Sequence, residues 1–66
     1  MALDLKKLIE NAIKEEQEAQ KNYQKAADEA LDLETKTFFE QLVREEMAHE
    51  KRLKDRLIAI KLIQGD

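Results

Sequence analysis

The sequence predicts an all-α fold: an antiparallel two-helix hairpin that pairs with a second copy of itself to make a four-helix bundle. Three observations predict it. Charged residues make up 41% of the 66 residues and aromatics only 5%, there is no Pro, and the single Gly is Gly65. Such a composition favours long helices over sheet. Apolar residues recur at spacings of three and four in both halves of the chain, the mark of amphipathic helices. Finally, two hairpin helices bury only a seam, and a chain this short commonly needs a partner, a metal or both.

The first helix is expected over about residues 4–30, from the apolar positions Leu5, Leu8, Ile9, Ala12, Ile13, Ala19, Tyr23, Ala26, Ala27, Ala30 and Leu31. At about 100° per residue, Ile9, Tyr23 and Ala27 all lie within about 20° of Glu16 around the axis. Glu16 thus falls in the middle of the apolar stripe. The second helix is expected over about residues 34–64, with the stripe Phe38, Phe39, Leu42, Glu46, His49, Leu53, Leu57, Ile60. Glu46 and the only His of the chain sit inside it. A turn at about residues 31–33 has no Gly or Pro to announce it. Asp32 is its best N-cap, with Glu34 in the following first turn. Phe38 and Phe39 are expected in the core at the turn end.

Periodicity alone also fits one helix of about 60 residues, roughly 90 Å long, in a parallel coiled coil. Register separates the two readings. In a hairpin, residue i faces approximately residue 64 − i, which sets Glu16 level with Glu46 and His49; in an unbroken helix they lie about 45 Å apart. Each would then be a buried polar group without a partner. Only the hairpin gathers the three exceptions at one level, and doubling the hairpin gives four carboxylates and two imidazoles in a single layer. Four buried carboxylates repel and some must take up protons, whereas two divalent ions neutralise them. Carboxylates with a minority of imidazole suit Fe(II) or Mn(II), with Zn(II) as a substitute. Glu16, Glu46 and His49 are therefore the candidate metal ligands, two ions per dimer.

The segments "EEQEAQKNYQKAA" and "FFEQLVREEMAHEKRL" resemble the two metal-binding helices of the rubrerythrin branch of the ferritin-like superfamily. Glu16 lies seven residues before Tyr23, and Glu46-x-x-His49 follows on the next helix. The resemblance spans roughly residues 5–62. Because it has one helix pair where full-length members have two, the chain is similar to the half-ferritins, including encapsulin-associated ferritins, which complete a ferritin-like four-helix bundle by dimerising. The resemblance implies a non-haem di-iron oxidoreductase of the ferroxidase or peroxide-reducing type, with O₂ or H₂O₂ as substrate, serving iron handling or oxidative-stress defence. Unlike rubrerythrins with a Cys-bearing electron-delivery domain, these residues contain no Cys. The alternatives are a helical hairpin or coiled-coil interaction module, and a passive metal-binding bundle without turnover. Tyr23 is a core aromatic whose hydroxyl is a candidate donor to a metal-bound carboxylate. Glu16 can be a terminal or a bridging ligand.

Other classes are disfavoured. The formal charge of −3 with interleaved signs argues against nucleic acid. No apolar run approaches the roughly 18 residues of a membrane span, and the charged start "MALDLKKLIE" is unlike a secretory signal, so a cytoplasmic protein is expected. "HEKRL" lacks the second His of a zincin motif. In "EKRLKDR", Glu50/Lys54 and Lys51/Asp55 have the spacing of self-paired surface charges, while Glu15, Glu18, Glu45 and Glu50 belong to the surface or the rim. Ile58 and Leu62 lie opposite Leu53 and Ile60, a second apolar patch that points to assembly beyond the dimer or to contact with the partner's terminal region.

Overall fold

The computed structural model describes residues 3–65. Two helices, α1 (Leu5–Glu29) and α2 (Leu33–Gln64), fold back on one another as a hairpin measuring 48 × 20 × 14 Å. Each helix begins where an aspartate satisfies the free amides of a first turn. The Asp4 carboxylate accepts from the Lys7 amide at 3.1 Å. The Asp32 carboxylate accepts from the Thr35 amide at 2.8 Å, so Asp32 caps α2 as expected, with Glu34 in the first turn. These bonds hold the Asp32 carboxyl below the usual carboxylate range.

The reversal needs only residues 30–32. Ala30 leaves the helical conformation (φ −64°, ψ 137°) while its amide still donates to the Ala27 carbonyl at 3.3 Å. Leu31 projects fully into solvent. At the far end, Gly65 closes α2 with φ +77°, a conformation that suits a residue without a Cβ. Lys61 in the last turn of α2 complements its helix dipole.

The seam is thin. Among the described residues only Ile13 and Ala27 are buried. Ala27 is completely covered because its small side chain lets α2 approach α1 closely. Near the turn, Tyr23 of α1 and Phe39 of α2 stack with ring centroids 6.2 Å apart. Phe38 departs from expectation: it is 59% exposed, meeting the edge of Phe39 at 5.2 Å. Phe38 and Phe39 are consecutive, so about 100° separates them around the axis, and a single facing helix can cover only one. Leu8, Ile58, Leu62 and Ile63 are also exposed.

The outcome is a chain with more surface than its mass warrants. A compact monomer of 7.7 kDa exposes about 4,300 Å², whereas this chain exposes 5347 Å². The excess, roughly 1,000 Å², is close to what each partner buries in a standard interface.

Candidate metal centre

Hairpin register brings Glu16 of α1 beside Glu46 and His49 of α2. His49 Nδ1 lies 3.6 Å from Glu16 Oε2 and 3.4 Å from Glu46 Oε1. One ligand atom from each of the three falls within 4.8 Å of the others, and no second such cluster of His, Asp and Glu occurs among the described residues. Glu46 and His49 are one helical turn apart on the same face. Glu16 reaches them because Ile9, Ile13 and Ala27 on its own face fix α1 against α2.

Burial is uneven across the trio. The Glu16 and Glu46 side chains are 22% and 19% exposed, the His49 ring 50%. Glu16 Oε2 is buried and has no hydrogen-bond donor. A carboxylate oxygen shut away from water without a donor is costly. The Glu16 carboxyl titrates above its ordinary value, chiefly because a protonated Glu16 hydrogen-bonds Glu46, then because of burial and the Glu46 charge. His49 opposes the shift. The site therefore favours added positive charge, as a proton or as a cation.

A groove of about 650 Å³ opens from Glu16 and His49 along α2, past Arg52, Leu53, Asp55, Arg56 and Ala59. One chain thus covers only one side of the trio. Two carboxylates and an imidazole fit the donor set of a first-row divalent cation, and the orphaned Glu16 oxygen is where such an ion would be held.

The rubrerythrin family profile matches residues 1–57. The chain belongs to the rubrerythrin family. Comparison with curated proteins and with solved structures found no match. Membership in the rubrerythrin family marks a di-iron carboxylate type of protein, and the Glu16, Glu46 and His49 cluster supplies a candidate group for it. Tyr23, on the same helix as Glu16, sets its ring against Phe39, with centroids 6.2 Å apart.

Glu50 proves to be the polar link between the helices of this rubrerythrin-family hairpin. It accepts from Gln17 Nε2 at 3.0 Å, Gln20 Nε2 at 2.6 Å and Lys54 Nζ at 2.7 Å. The Lys54 bond first, then those from Gln20 and Gln17, hold its carboxyl down to about 2. The Glu50/Lys54 pair was expected from spacing. Gln17 and Gln20 were not singled out, although hairpin register brings Gln17 within a turn of Glu50. No helix among the described residues is long and apolar enough to cross a membrane.

Proposed function

We propose that this chain is a di-iron protein of the ferroxidase or peroxide-reducing type, its centre completed when two hairpins form a four-helix bundle. The observation that carries the reading is the cluster itself: Glu16, Glu46 and His49 present ligand atoms within 4.8 Å of one another, and one of those oxygens is buried without a donor. A second copy is called for because the trio is open to the groove and the chain exposes surplus apolar surface.

In the proposed dimer each chain supplies two carboxylates and one imidazole to the layer. Glu46 and His49 hold one ion per chain, and Glu16 ligates from the facing helix, as a terminal or bridging donor. When bound, a pair of iron ions supplies two-electron reduction of O₂ or H₂O₂. The protein's own part is positional. The carboxylates neutralise the ions, and the covered seam limits water on one side.

Metal analysis combined with oxidant consumption tests this. Anaerobic Fe(II) titration is expected to saturate at one ion per chain, two per dimer, with Mn(II) or Zn(II) able to substitute. Wild-type protein with Fe(II) should consume O₂ or H₂O₂ faster than Glu46→Ala and His49→Ala. Equal rates in all three remove the enzymatic reading, and metal binding without turnover leaves a passive metal bundle.

A further inference from the structure

Side-chain hydrogen bonds tie the two helices together at one place, and that place adjoins the candidate metal site. Among the described residues, both hydrogen bonds between α1 and α2 side chains end on Glu50. Gln17 Nε2 donates to its Oε2 at 3.0 Å and Gln20 Nε2 to its Oε1 at 2.6 Å. Lys54 Nζ meets Oε2 at 2.7 Å from within α2, and the Glu50 side chain is only 15% exposed. None of the four residues lines the groove that opens from Glu16 and His49, so a second copy set over that groove would leave this bridge in place. Each bridge residue is also joined to a ligand through its own helix. Gln17 follows Glu16, and Gln20 stands one turn after it. Glu50 follows His49 and stands one turn after Glu46.

We infer that Gln17, Gln20 and Glu50 are positioning residues, whose bridge sets the height at which Glu16 meets Glu46 and His49. This rests on the reading of that trio as a metal centre. It adds what holds the two halves of the centre in register.

Apolar contact alone fixes that height poorly. The seam buries only Ile13 and Ala27 among the described residues, and apolar burial is non-directional. It governs how close the helices come more firmly than where along each other they stop. The two carboxylates of the trio, when ionised, also push α1 and α2 apart at this level. Hydrogen bonds are directional, and those to an ionised acceptor are the stronger kind. The two glutamines stand three positions apart, about 4.5 Å along α1, yet they reach different oxygens of one carboxylate. Side chains lean toward the N-terminus of their own helix. In an antiparallel pair Gln20 and Glu50 therefore lean toward one another. A shift of one residue would move both amides about 1.5 Å along the axis and turn them by about 100°. Neither bond survives that shift.

Anaerobic Fe(II) titration and NMR of the full chain test this together. Gln17→Leu/Gln20→Leu removes both donors at similar size and helix propensity. It should bind Fe(II) about tenfold more weakly, with stoichiometry unchanged. In the metal-free protein it should also weaken the nuclear Overhauser contact between the His49 ring and the Glu16 side chain. Lys54→Met removes the donor that does not come from α1, and should leave both readings as in the wild type. Lys25→Gly, at an exposed position of α1 nearer the turn, lowers helix stability and should spare them too. Glu50→Gln alone should weaken Fe(II) binding, and adding Gln20→Glu should restore most of it, because the bond re-forms with its direction reversed. That exchange decides the matter even if the leucine variant does not fold. Wild-type affinity in the leucine variant, an equal loss in either control, or no rescue by the exchange would each overturn the positioning role. If the wild type itself binds no Fe(II), the metal reading fails, and the His49–Glu16 contact alone decides whether the bridge sets the register.

Discussion

His49 Nδ1 and Glu16 Oε2 stand 3.6 Å apart, although thirty-three positions and a helix reversal separate them in the chain. Glu46, not His49, makes this layer the electrostatic weak point of the metal-free hairpin. Glu46 crowds the same spot, and the buried Glu16 oxygen has nothing to accept from. A ligand bound only by the folded state stabilises it by mass action. For a divalent ion at a hundredfold excess over its Kd the gain is about 2.7 kcal/mol. In a chain this small that corresponds to a rise in Tm of roughly 10–20 °C. Thermal melts with and without chelator check this; coincident curves would contradict a shared cation site.

Glu16→Gln is expected to act in opposite directions on the two forms. With metal, it removes a ligand and erases most of the gain in Tm. Without metal, it removes the repulsion with Glu46 and raises the midpoint at neutral pH. The pH dependence gives the sign independently. The Glu16 carboxyl is raised above its ordinary 4.5 in the fold, so its contribution to stability is fully present below pH 4.5. That contribution is lost as pH rises through the folded value. Chelated wild type should therefore lose stability over that window relative to Glu16→Gln, as followed by urea denaturation at successive pH values.

The hairpin and the gathering of its three polar exceptions were readable in the residues because both follow from period and register. Glu16, Glu46 and His49 break an apolar stripe, and only a reversal near Asp32 sets them level. Asp32 was readable as a cap because its chemistry is local. Phe38 was not, since an apolar residue beside the stripe reads as core whether its cover comes from the same chain or from another. The Gln17 and Gln20 bonds to Glu50 were hidden for a related reason. Neutral amides carry no charge signal, and their partner depends on which flank of α2 turns toward α1, a choice that period alone leaves open.

Close approach of the helices at Ala27 gives a packing prediction. Ala27 has no exposed surface, so a larger side chain must push α2 away. Ala27→Leu should cost about 1–3 kcal/mol through overpacking and, by displacing α2, weaken metal binding as well. Ala26→Leu, one position away and only half-buried, is the control and should be better tolerated. Denaturant midpoints for the pair, with a metal titration of each, check the difference. Equal losses would mean that the seam does not set the helix spacing.

Glu50 provides the last test, because its carboxylate ties both helices together beside the candidate metal site without joining it. Glu50→Gln keeps the shape but loses the charge that Lys54 pairs with, and it weakens the bonds from Gln17 and Gln20. The Glu50 carboxyl is held at about 2 against an ordinary 4.5, so its contribution is present above pH 4.5 and lost as pH falls toward 2. Wild type should therefore exceed Glu50→Gln in stability at neutral pH, and the two should converge between pH 4.5 and 2. This is the reverse of the Glu16 pattern, because the two carboxylates have opposite environments: one beside another acid, one ringed by donors. If the clamp also holds Glu16 level with His49, Glu50→Gln should loosen Fe(II) binding while leaving the stoichiometry at one ion per chain. A stability difference that persists undiminished at pH 2 would show that the side chain acts through shape and not through its charge.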